Sequence, residues 1–177
     1  MKQTEGIAVD IFYFIRIFLG TMMIATAVLK LLSFNSFQLT VRQLNLVVMN
    51  AAFTVSGVIA IEMLSGILMF FDATYLGGSL LIVLLSLCFI GVAMRSKKLP
   101  GTITCNCFGS LIPENLGNHT IHRALVLIAL TVLVVIMGSG YSADNQVSVY
   151  PIALSVLQSL AIIALYGNIR VLFSKPE

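Results

Sequence analysis

What most restricts the fold of this chain is a series of long apolar segments. Five stretches, near residues 11–32, 46–71, 75–94, 123–140 and 151–173, are each about long enough to cross a hydrocarbon core of roughly 30 Å. Inside hydrocarbon a backbone must satisfy its own donors and acceptors, so only helices and closed barrels span. The alternating polar–apolar strands of a barrel are not found along the sequence. The expected fold class is therefore all-α: a polytopic membrane protein, folded as a single integral membrane domain over residues 1–177. Composition agrees, with 59% hydrophobic and 10% charged residues, where a soluble domain is nearer a quarter charged. No cleavable signal peptide is expected, because residues 1–10 are polar and mixed in charge with no small-residue cleavage site after a short apolar core. A net charge of +3 is too small to suggest a nucleic-acid partner. Membrane lipid is the expected surrounding.

The segments between spans divide by charge. Lys30 and Arg42 flank the first, Arg95, Lys97, Lys98 and Arg123 the third, and Arg170 and Lys175 follow the fifth span, whereas the second offers only Asp72 and the fourth only Asp144. The positive-inside rule then puts the N-terminus outside and the third loop, residues 95–122, in the cytoplasm; the expected location is a bacterial inner membrane.

Arg16 and Glu62 fall inside apolar runs, where a lone charge costs at least ~2.5–3.5 kcal/mol. Placing each residue relative to the middle of its span puts both on the same side of the midplane, which predicts an Arg16–Glu62 pair. Such a pair either fixes helix register or handles a proton or substrate. Lys30 closes the first span, where a lysine can snorkel to the headgroups. Together with Arg123 it would make the third loop electropositive and favour thiolate there.

That loop carries Cys105-Asn106-Cys107-Phe108-Gly109. Two thiols separated by one residue can cycle between dithiol and disulfide, serve as an inert loop pair, or hold a soft metal. A disulfide in so small a ring is strained and therefore oxidising, which suits a transfer site better than a staple. Gly109 is free to make a sharp turn after Phe108, and Pro100-Gly101 and Pro113 punctuate the same loop. His119 and His122 are read in this loop as well, either as ordinary polar residues or as proton relays or metal ligands beside the cysteines. The third cysteine, Cys88, lies among leucines and reads as a small, buried, inert residue.

The run Cys105-Asn106-Cys107-Phe108-Gly109, followed by Arg123 opening an apolar span, resembles the MauE branch of the DoxX-like membrane proteins. Arg16-Ile17-Phe18-Leu19-Gly20 resembles the family's first helix, and Ala27-Val28-Leu29-Lys30-Leu31-Leu32-Ser33-Phe34 with Phe37 its close. Ile61-Glu62-Met63-Leu64-Ser65-Gly66-Ile67-Leu68 resembles the Glu and Gly core of the second helix. The likeness covers roughly residues 12–137 and departs at Ala124, where the family often has Asn, and in the fifth span.

The resemblance implies a DoxX-like four-helix bundle with a fifth C-terminal transmembrane helix added. It implies a redox loop of Cys105, Cys107, Phe108 and Gly109, with Arg16, Lys30, Glu62 and Arg123 as a polar framework. It also implies a thiol–disulfide oxidoreductase working with a thioredoxin-like partner, in the maturation of disulfide-containing proteins such as methylamine dehydrogenase, with quinone as a further redox partner. A non-enzymatic assembly factor and a small transporter or metal-binding membrane protein are the alternatives.

Overall fold

A computed structural model describes residues 2–44, 50–97, 104–105, 114–115, 118–138 and 156–158. In chain order these form α1 (Lys2–Leu32), α2 (Phe34–Gln43), α3 (Ala51–Leu68), α4 (Tyr75–Ser96), β1 (Thr104–Cys105), β2 (Glu114–Asn115) and α5 (Asn118–Gly138). Four helical segments among the described residues are long and apolar enough to span a membrane: Ile11–Leu32, Ala51–Leu68, Tyr75–Ser96 and Thr120–Gly138. The protein is an all-α polytopic membrane protein. Its only described strands are the two-residue antiparallel ladder of β1 and β2, which pairs Thr104 with Asn115 and Cys105 with Glu114. Apart from a helical turn over residues 156–158, the expected fifth span at 151–173 lies outside the described residues.

The long helices run alternately up and down, with α1 packed on α3 and α5, and α4 on α3 and α5. Their outer faces are apolar because lipid surrounds them. On α4, Leu76, Leu80, Leu84 and Leu87 form an exposed stripe at helical spacing. Cys88 is exposed beside it, contrary to the expectation of a buried thiol, because it falls on the lipid-facing side of the same helix. Buried hydroxyls bond back to their own helix, as hydrocarbon requires: Thr21 Oγ1 donates to the Ile17 carbonyl at 2.8 Å and Thr131 Oγ1 to that of Leu127 at 2.7 Å.

Glycine sets the register between α1 and α3. A Cβ on Gly20 would stand 3.0 Å from the Gly66 carbonyl oxygen, and one on Gly66 would stand 2.9 Å from the Gly20 oxygen and 2.7 Å from Ile24 Cγ1. The two backbones therefore touch, as small residues permit in membrane helices. Gly78 brings α4 equally close to Ser65 of α3.

The core falls into two clusters. One joins Phe12, Leu19, Met23, Met69, Ile82, Leu85 and Val134. The other joins Ala27, Phe37, Val41, Ala51, Val55 and Ile59 at the end where α2 sits. The first interhelical segment, read as a loop, thus contains a helix. Phe34, Phe37 and Val41 recur at i, i+3 and i+7 and pack against this cluster, while Asn35, Leu39 and Arg42 are exposed.

Helix ends also differ from expectation. Asn50 caps α3, its side chain accepting from the Ala52 amide at 3.3 Å, so the helix starts later than the apolar run suggests. α5 starts at Asn118, so His119 and His122 belong to its first turns and not to the loop. With α4 reaching Ser96, the third loop is shorter than residues 95–122.

Candidate functional site

The intramembrane charges separate to opposite ends of the bundle. Arg16 lies at the turn between α3 and α4. Its Nε donates to the Met69 carbonyl at 2.6 Å, one terminal nitrogen donates to the Phe70 carbonyl at 3.0 Å, and the other pairs with Asp72. Those carbonyls belong to the end of α3, where no further turn supplies donors. The rings of Phe12, Tyr13 and Tyr75 surround the guanidinium carbon with centroids 5.9, 5.5 and 5.4 Å away. Arg16 is thus a buried C-terminal cap for α3 with a half-exposed counter-ion.

Glu62 pairs with Lys30 instead, which corrects the expected Arg16–Glu62 pair. The reason is register. With Gly20 level with Gly66, Arg16 lies about 6 Å to one side of the contact and Glu62 about 6 Å to the other. Helical side chains also lean toward their own N-terminus. Arg16 therefore leans further from Glu62, while Lys30 and Glu62, on antiparallel helices, lean toward each other.

Lys30 and Glu62 are both buried, at 3% and 1% exposure. The Lys30 ammonium also sits over the rings of Phe89 (4.8 Å) and Phe37 (5.7 Å). Only one carboxylate oxygen is engaged. Among the described residues, Glu62 Oε2 is buried and has no hydrogen-bond partner. Ser65 does not serve it, since its hydroxyl donates to the Glu62 main-chain carbonyl at 2.9 Å.

The thiol loop is at the Lys30 end. α2 packs on α3 and on β1, the strand that contains Cys105. β1 pairs with β2 across residues 106–113 of the sequence, which include Cys107. Cys107, Phe108 and Gly109 themselves lie outside the described residues. Arg123 lies in α5, half-buried. Of the expected polar framework, Lys30 and Glu62 meet each other near the loop's end of the bundle, and Arg16 is at the opposite end. Lys30 pairs with Glu62. Sequence reasoning missed Asp72 as the partner of Arg16 and the ring cage of Tyr13 and Tyr75. The signal available was that Asp72 is the first acid after the span.

No curated protein and no solved structure matches the chain. The family model described as methylamine utilisation protein MauE matches residues 8–137, which take in α3, α4 and nearly all of α1 and α5. That is well over half of the sequence, and the chain belongs to the MauE family.

Proposed function

We propose that this protein is a membrane thiol–disulfide redox protein that cycles Cys105 and Cys107, serving methylamine utilisation through the maturation of a disulfide-containing client such as methylamine dehydrogenase. One observation carries most of the reading. The strand bearing Cys105 is tied back by β2 and lies against α2, so the backbone on one side of the Cys-x-Cys pair has a fixed seat at the end of the bundle. A fixed seat suits a pair that must meet an incoming partner in a set orientation. Family membership supports the methylamine setting.

In the exchange, a thiolate of Cys105 or Cys107 attacks a disulfide sulfur of a thioredoxin-like partner and forms a mixed disulfide. The second cysteine then displaces the partner. The protein's dithiol becomes a disulfide and the partner's disulfide becomes a dithiol, so two electrons and two protons pass to the partner. The reverse sequence restores the dithiol. Quinone is a second acceptor of the same electron count.

Single Cys105→Ser and Cys107→Ser chains test this reading by trapping. One of them should retain a mixed disulfide with a thioredoxin-like protein that reductant releases. If neither variant traps a partner and the double variant still supports maturation, the chain is a non-enzymatic assembly factor. Labelling intact cells with an impermeant thiol reagent tests the placement in the bacterial inner membrane. With the loop in the cytoplasm, as its flanking Arg95 and Lys97 suggest, Cys105 and Cys107 stay unlabelled until the membrane is opened.

A further inference from the structure

The Lys30–Glu62 pair has features that a purely structural ion pair does not need. In hydrocarbon each unsatisfied polar group costs several kcal/mol, and a buried charge is held only when its remaining lone pairs are satisfied. Arg16 meets that standard, with two carbonyls, a carboxylate and three rings around it. Glu62 does not, because Oε2 is buried without a partner among the described residues. A proton on Oε2 would remove the carboxylate's charge and most of the penalty for burying it.

Lys30 is arranged to tolerate that change. Its ammonium has Glu62 on one side and the faces of Phe89 and Phe37 on others. Ring faces attract a cation most strongly when it is desolvated. Neutralising Glu62 therefore leaves the ammonium with part of its support. The site also lies near a bundle end. Lys30 is in the last turn of α1, and Phe37 belongs to α2, which lies between the pair and β1. Of the other charges on the packed elements, Arg42 on α2, Arg95 on α4 and Lys97 just after it are exposed, Arg123 on α5 is half-buried, and Arg16 is held at the far end.

We propose that Lys30 and Glu62 form an intramembrane proton-exchange site, with Glu62 Oε2 as the atom that gains and releases the proton. The proton enters from water at the α2 end. An O–H bond forms at Oε2, a hydronium becomes water, and the pair passes from neutral to a single positive charge carried by Lys30. Release reverses each step. The site does not depend on thiol chemistry at Cys105 and Cys107.

Infrared difference spectroscopy of the full chain in lipid vesicles, recorded between acidic and alkaline buffers, reads this directly. The native protein should show a carboxylic-acid C=O band typical of an apolar environment that appears and disappears with pH. Glu62→Gln should lose it completely. Lys30→Met should keep it and move the pH at which it appears. The band should persist in the Cys105→Ser/Cys107→Ser chain, so its fate is read separately from that of the redox proposal. Identical spectra for native and Glu62→Gln, or a band unmoved by Lys30→Met, would overturn the assignment.

Discussion

The two ends of this bundle bury charge in different ways. At one end Arg16 is saturated: it caps α3, pairs with Asp72 and sits among aromatic rings. At the other, Lys30 and Glu62 hold each other with one carboxylate oxygen to spare. The saturated end joins helices at a turn whose counter-ion is half exposed. The unsaturated end lies beneath α2, which in turn packs on the strand of Cys105. A fully satisfied charge is accounted for as a structural part, whereas an incompletely satisfied one inside a membrane calls for an explanation, which the proposed proton site supplies. The two ends thus differ in how completely their buried charge is satisfied.

Four single substitutions and one double variant put this contrast to the test. The largest effect is expected from Glu62→Ala, which strands the Lys30 ammonium and should cost about 3–5 kcal/mol of stability in detergent. Replacing both partners, as Lys30→Met with Glu62→Leu, should recover most of that loss. If the double variant is no better than Glu62→Ala, the pair is not a coupled unit. Next is Gly66→Ala, which pushes a methyl into the Gly20 backbone and Ile24 and should cost about 1–3 kcal/mol by overpacking. A neutral outcome there would mean that the α1–α3 register, and with it the reassigned ion pairs, is wrong.

Arg16→Met removes the donors to the Met69 and Phe70 carbonyls and should cost about 1–3 kcal/mol, read as a lower midpoint of thermal unfolding. It should leave the redox behaviour of the cysteines unchanged. A shift in their redox behaviour would join the two ends and defeat the comparison. The smallest effect is expected from Asp72→Asn. Its side chain is 53% exposed, so the pair contributes at most about 1 kcal/mol, and the carbonyl bonds keep Arg16 in place.

The sequence made the four described spans plain, because long apolar runs in lipid form spanning helices. It made the Cys-x-Cys pair visible as a candidate as well, since two thiols one residue apart can cycle, stay inert or hold a soft metal. It did not reveal who pairs with whom. Arg16, Lys30, Glu62 and Asp72 are all visible as charges near or within spans, but matching them needs the register between helices. That register is set by the contact of Gly20 with Gly66 and not by the midpoints of apolar runs. α2 was hidden for a different reason. Over its ten residues Phe34, Phe37 and Val41 are diluted by polar neighbours, and a segment this short forms a stable helix only by packing. Here it packs on Ala51 and Val55 and covers Lys30.

Cys105 and Cys107 are proposed to alternate between dithiol and disulfide. Membranes equilibrated across a series of redox buffers, then quenched and alkylated with a mass-shifting thiol reagent, test it directly. As the buffer becomes oxidising, a species carrying two fewer labels should replace the fully labelled one, with Cys88 still labelled after denaturation. The transition should vanish in Cys105→Ser and in Cys107→Ser. Persistence of all three labels under oxidising conditions that form disulfides in a thioredoxin-like partner would contradict it.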